Sequence, residues 1–206
     1  MSVMAQARAE RADLLDLLEG LAPDEWRVPS LCAGWTVHDV VAHVLSYDEL
    51  GPQGLASRFV RGRFLVDRVN AVGLAEYAVR TPAELVELLR AHLTPRGLPA
   101  GMGGAIALTD GLIHQQDIRR PLGRPRSIPA DRLLPALRTT LFGPVLRGVL
   151  RVRDVRLVAT DLDWTFGRGP EVRGTAEALL MAVAGRAGVA GELSGPGAAR
   201  LTGRLG

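Results

Sequence analysis

Residues 104–120 constrain this chain more than any other stretch. Their periodicity predicts one helix, stopped by Pro121, that is apolar over most of its circumference. At about 100° per residue, Asp110, His114 and Asp117 fall on one narrow stripe. Ile106 and Ile113 flank one side of it, Ala107 and Ile118 the other, and Leu108 and Leu112 occupy much of the opposite face. A helix apolar on so many sides belongs in an interior, and it takes its ionisable groups with it. That is costly unless they pair with one another or hold a metal ion.

Asp110 and His114 are spaced i, i+4, which sets a carboxylate and an imidazole one turn apart and able to converge on one ion. The same spacing suits an Asp–His hydrogen bond inside a core, and helix geometry alone leaves both readings open. Asp117, a further turn on, is expected either to pair with Arg119, Arg120 or a backbone donor, or to accept from His114 and orient it. His43 sits at the edge of a valine stripe (Val37, Val40, Val41, Val44) on an earlier helix, beside Tyr47. If the two helices pack together, His43, Asp110 and His114 form a two-His, one-carboxylate set with open positions. That set suits zinc and also ferrous iron or nickel. His38 lies nearly opposite His43 and reads as a surface residue, and His92 falls at a helix end, where a cation suits the dipole. Cys32, the one cysteine, ranks below this set, because a lone Cys is most often a small buried hydrophobe.

The wider sequence frames these residues. All 25 basic residues are Arg, as a GC-rich genome would produce, and the net charge is only +3 with no dense basic run, so nucleic-acid binding is not expected. Residues 1–122 hold 12 Arg and 15 acidic residues, whereas residues 123–206 hold 13 Arg and 7. The later part would favour an anionic ligand, although a solvated surface is the simpler account. A single cysteine allows no intrachain disulfide and fits a cytoplasmic setting. Neither a signal peptide nor a membrane span is expected from the apolar patterning. No Gly-rich phosphate loop follows an expected strand, and no Ser sits on a strand-to-helix elbow.

Along the chain, helices are expected at 4–21, 36–50, 55–79, 82–93, 104–120 and 130–150, the last interrupted at Pro135, Gly143 and Pro144. Thr36 with Asp39 reads as a capping box, and Thr81-Pro82 with Glu84 as a helix start. The texture then changes. Residues 155–160, 164–166 and 171–173 read as short strands, 174–185 as a helix, and the Gly-rich stretch from 191 as one more strand with a tail. A helical N-terminal domain followed by a small α+β unit is the expected organisation, with the boundary within 121–153.

The segment from Trp26 through Pro29-Ser-Leu-Cys-Ala-Gly-Trp-Thr-Val-His-Asp-Val-Val-Ala-His43 resembles the metal-binding domain of the mycothiol-dependent maleylpyruvate isomerase family, within the DinB-like superfamily. Asp110-Gly-Leu-Ile-His114 through Asp117 to Gly123 resembles a second block of that family. Residues 155–164 through Gly185-Arg186, with Leu193-Ser-Gly195, resemble its small C-terminal unit. The resemblance implies a mainly α protein: a DinB-like four-helix bundle over residues 1–125 and a small α+β, sterol-carrier-like domain over 126–206. It implies one divalent ion, most commonly Zn, on His43, Asp110 and His114; the isomerase itself carries Glu where this chain has Asp110. It also implies a catalytic Arg in the C-terminal unit, matched best by Arg186.

The implied activity is that of a mycothiol-dependent isomerase or thiol transferase acting on a small electrophilic substrate, as a monomer or homodimer. The ion would lower the pKa of the low-molecular-weight thiol, and the thiolate would attack an electrophilic carbon. The alternatives are a non-catalytic DinB-like metal-binding module and a bundle that has lost its ion.

Overall fold

Ser2 opens the first helix. Its hydroxyl accepts the Ala5 amide at 3.2 Å, and α1 runs over Val3–Glu19. The computed structural model describes residues 1–205 except 144 and 147, in two units, Met1–Pro125 and Arg126–Gly206.

In the first unit α1 is followed by α2 (Val37–Leu45), α3 (Pro52–Arg61), α4 (Val66–Tyr77), α5 (Pro82–Ala91) and α6 (Ala105–Arg119). The expected capping box is present at Thr36/Asp39, and the expected helix start at Thr81 is a second one, closed by Glu84. The leucines of α1 (Leu14, Leu15, Leu17, Leu18), the valines of α2, Leu85, Leu88 and Leu89 of α5, and Ile118 of α6 form one apolar core with Trp26. Each fully buried Leu contributes about 1.5–3 kcal/mol relative to exposure. The core is stapled by a buried ion pair. Arg11 donates from both terminal nitrogens to Asp48 at 2.9 Å and also to the His92 carbonyl at 2.6 Å, while the Arg96 amide donates to Asp48 at 3.0 Å. Those contacts join α1 to the segments that follow α2 and α5.

α1 lies along α6 at close range, and Gly111 makes this possible: a Cβ there would sit 3.1 Å from the Glu10 side chain. Glu10 and Gln115 are both fully buried and satisfy one another, Gln115 Nε2 donating to the Glu10 carboxylate at 2.7 Å and to its carbonyl at 2.8 Å.

Three expected helices differ from those observed. The 36–50 helix ends at Leu45, where the Ser46 carbonyl turns to the buried guanidinium of Arg58 and the Asp48 carboxylate to Arg11. The 55–79 helix is two helices, α3 and α4. Arg63 and Phe64 adopt φ of 54° and 59°, a reversal that folds α4 back onto α3. The 130–150 helix is also two, α7 (Ala130–Phe142) and α8 (Gly148–Arg151). Pro135 lies inside α7 without interrupting it. It forfeits one backbone bond near the helix start, and Leu133, Ala136, Leu137 and Leu141 keep the segment buried. Gly143 does end α7, and Pro144 lies outside the described residues.

The second unit continues from α8 with β1 (Arg156–Ala159), β2 (Thr165–Gly167), β3 (Glu171–Gly174), α9 (Ala176–Val183) and α10 (Ala198–Thr202). β1 is central, antiparallel to β2 and parallel to β3. The short passage from β2 to β3 crosses against the backbone of residues 154–155. Gly169, at φ 122°, permits it, since a Cβ there would lie 2.5 Å from the Asp154 carbonyl oxygen. α9 packs on this sheet with every residue but Glu177 buried. The strand expected after 191 is reduced to one bridge, Arg173 to Ser194, because the 3₁₀ turn Ala187–Glu192 and α10 take up the chain on either side.

Candidate metal centre

His43 is the last-turn residue of α2, and Asp110 and His114 are one turn apart on α6; these two helices pack directly. The packing brings three side chains to one point. Asp110 Oδ1 lies 3.7 Å from His43 Nε2 and 3.3 Å from His114 Nε2, and the two imidazole centroids are 4.9 Å apart at 75°. Donor atoms from all three fall within 4.8 Å of one another.

A tetrahedral zinc with Zn–N and Zn–O bonds near 2.0–2.2 Å needs donors about 3.3–3.5 Å apart. The Asp110–His114 separation meets that requirement and the Asp110–His43 separation exceeds it by a few tenths of an ångström, and two imidazoles with one carboxylate match the donor chemistry of a catalytic site with an open position. Asp110 reaches both nitrogens from its own short arm. The histidine side chains are 11% and 10% exposed and Asp110 34%, so the cluster is closed behind and open at the carboxylate.

The electrostatics follow from this crowding. Burial opposes charge on Asp110, but the adjacent His114, then His43, outweigh it and hold the carboxyl far below its ordinary range. Burial likewise opposes charge on His114. Asp110, Asp117 and Cys32 outweigh that, so without an ion the imidazole is raised well above its ordinary value. A proton thus occupies the place that an ion would take.

His114 is oriented from its other edge. Asp117, fully buried, accepts from His114 Nδ1 at 2.9 Å, the second of the two contacts expected for it. That bond turns Nε2 toward His43 and Asp110. The remaining wall comes from the loop before α2. Trp35 lies 5.0 Å from the His43 ring and stacks on His114 at 6.4 Å and 24°. Tyr47 meets the far edge of His43 at 5.9 Å and donates its hydroxyl to Asn70 at 2.8 Å.

Trp35 and Cys32 are the residues whose place sequence reasoning missed. Both were visible inside the segment ending at His43, but nothing local says that this loop folds over α6. Cys32 Sγ lies 3.1 Å from Asp117 Oδ2 and 3.8 Å from His114 Nδ1.

His38 is not the surface residue expected. It is half-buried, its Nε2 2.8 Å from the Arg80 carbonyl and its ring edge-on to Trp26. His92 caps α5 and takes no part in the cluster. Arg186 belongs to the second unit, where it precedes the 3₁₀ turn Ala187–Glu192 and its amide donates to the Met181 carbonyl at 2.9 Å. Burial, then the charge of Arg186, depress the neighbouring Arg151 guanidinium.

A helical bundle of the DinB-like class, with a two-His, one-carboxylate donor set and a small α+β unit, is what the fold and site define. Residues 7–96 match the family described as the mycothiol maleylpyruvate isomerase N-terminal domain. The match spans less than half of the chain and marks the first unit as similar to that domain. The match takes in His43 and stops before α6. Among solved structures, a histidine-to-alanine mutant of the mycothiol-dependent maleylpyruvate isomerase is similar at TM-score 0.61 and 14% identity, covering 94% of this chain and 91% of that one. A second structure of the mycothiol-dependent maleylpyruvate isomerase is similar at TM-score 0.58 and 15% identity, covering 89% and 88%. At such identity the likeness establishes the fold. No curated protein matches by sequence. No helix among the described residues is long and apolar enough to cross a membrane.

Proposed function

We propose that the chain is a metal- and mycothiol-dependent isomerase or thiol transferase acting on a small electrophile, with His43, Asp110 and His114 holding one divalent ion, zinc by preference. The observation that carries this reading is the convergence of His43 from α2 with the Asp110–His114 pair of α6, at donor spacings suited to an ion and with one side open. A divalent ion bound there supplies the Lewis acidity that holds a coordinated thiol as thiolate at neutral pH.

The chain's own residues prepare that site. Asp117 fixes the tautomer of His114 so that Nε2 is presented. Trp35 shields the two imidazoles on one side and keeps water from them. The exposed edge of Asp110 marks the side from which thiol and substrate approach. Arg186 is proposed to receive a carboxylate of the substrate, on the strength of the resemblance at Gly185-Arg186 and the Arg-rich composition of residues 123–206.

Because the solved neighbours are named for maleylpyruvate and mycothiol, that pair is the first to assay. Purified protein is expected to hold about one ion per chain and to turn over only when mycothiol is supplied. Full metal occupancy with no thiol-dependent turnover of maleylpyruvate or other small electrophiles would favour the non-catalytic binding module. Absence of metal, with binding indifferent to His43→Ala and His114→Ala, would remove the ligand assignment.

A further inference from the structure

Asp117 is the hinge of this site, and more than His114 bears on it. The carboxylate is completely buried, so water does not supply its hydrogen bonds. One oxygen, Oδ2, accepts from His114 Nδ1 at 2.9 Å and from the Cys32 thiol at 3.1 Å. The backbone of the same residue is held too, its carbonyl accepting from the Leu31 amide at 3.1 Å. The loop before α2 is therefore tied to α6 at two consecutive residues, Leu31 and Cys32.

That loop is internally braced. Ser30 Oγ accepts from the Cys32 amide at 3.1 Å and donates to the Trp35 carbonyl at 2.9 Å, and the Trp35 amide donates to the Cys32 carbonyl at 3.0 Å. Whatever fixes Cys32 consequently fixes Trp35, whose ring faces both histidines.

We infer that Cys32 is a positioning residue of the metal centre: its thiol pins the carboxylate oxygen that orients His114 and holds the Trp35 loop against the two imidazoles. The inference rests on the ligand set proposed above. Two rival roles for the thiol fit less well. As a ligand it would join His114 and Asp117, whose atoms also lie within 4.8 Å of it, but Nδ1 and Oδ2 are already engaged with each other at hydrogen-bond distance. As a nucleophile it would have to give up the proton that it shares with a buried carboxylate. As a donor to Asp117 the thiol keeps its own bond and leaves that of His114 in place.

Partners that orient metal-bound histidines are worth about 10–100-fold in metal affinity. The test uses Co(II) titrated into the metal-free full chain, followed by its visible ligand-field bands, with Cys32→Ala, Cys32→Val and Cys32→Ser alongside. Ala and Val, which remove the donor with and without loss of volume, are expected to weaken binding about 10-fold and to shift the bands. Ser, which restores a donor, is expected to recover most of the affinity. Thermal unfolding of the metal-free variants should stay close to that of the unsubstituted chain, because the Leu31 bond remains. Should Ala or Val not fold, the other apolar variant gives the same comparison.

If the unsubstituted chain binds Co(II) and both apolar variants bind it equally well with the same bands, the inference fails and the ligand set stands. An intense sulfur-to-cobalt charge-transfer band in the unsubstituted chain, lost in Cys32→Ser, would make Cys32 a ligand and overturn the positioning role. No Co(II) binding by the unsubstituted chain would remove the ligand set and the inference together.

Discussion

The two units bury different chemistry. In the first, Glu10, Arg11, His43, Asp48, Arg58, His114, Gln115, Gln116 and Asp117 lie in the interior among the leucines and valines. In the second, Thr140 is the one buried polar side chain among the described residues, and α9 presents Leu179, Leu180, Met181 and Val183 to an otherwise apolar core. Polar groups inside a protein are tolerated only when each finds its partner, so the first interior is specified pair by pair and the second by volume. A core specified by volume accepts many sequences. One specified by pairs can hold a site, and the cluster of ionisable groups suited to a metal lies there.

This contrast can be broken most forcefully at the buried ion pair. Asp48→Ala leaves Arg11 charged, 3% exposed and short of its bidentate partner. The expected loss is about 3–5 kcal/mol of stability, read by urea unfolding. A loss under 1 kcal/mol would show that the first interior is less exacting than its contacts imply.

Next in size is His114→Ala, which removes one proposed ligand and the imidazole between Asp110 and Asp117. Metal affinity should fall by more than the roughly 100-fold upper range for an outer partner, measured by competition with a chelating dye. An unchanged affinity would mean that the ion, if any, sits elsewhere.

The pH dependence of metal binding tests the same interior more finely. Without an ion, His114 is protonated at neutral pH because Asp110 and Asp117 raise it, whereas Asp110, held low, carries no proton to displace. Binding must therefore expel a proton from His114. Affinity is expected to rise by up to about 10-fold per pH unit from pH 6 toward the raised value and to level off above it. Calorimetry in buffers of different ionisation enthalpy should register at least one proton released per ion at pH 7; none would contradict the protonated imidazole.

The smallest effect is expected in the second unit. Arg204 pairs with Asp154 through both nitrogens, at 2.6 and 2.7 Å, but both side chains are solvated. Arg204→Ala should cost no more than about 1 kcal/mol. A loss as large as that of Asp48→Ala would erase the distinction between the units.

Much of this was legible in the residues themselves. The stripe Asp110, His114, Asp117 follows from helical periodicity, and the orienting role of Asp117 from its spacing. The capping box at Thr36 and the helix start at Thr81 also follow, since each is a contact over three residues. The break at Arg63–Phe64 was not legible, because neither residue type favours a positive φ and only the packing of α4 on α3 demands it. The exposure of His38 was misread for a related reason, as its partner, the Arg80 carbonyl, lies 42 residues away.

What the sequence determined by itself is the local part of the site: one helix that must be buried, carrying a carboxylate and an imidazole one turn apart with an acceptor beyond them. Helical geometry dictates those relations without reference to the rest of the chain. Only the tertiary structure decided that α2 would lay His43 against that pair, and that the Cys32–Trp35 loop would close over Asp117. Those contacts span 67 to 85 residues of chain. They arise from the packing of α6 against α1 and α2 around the shared apolar core, which no local preference encodes.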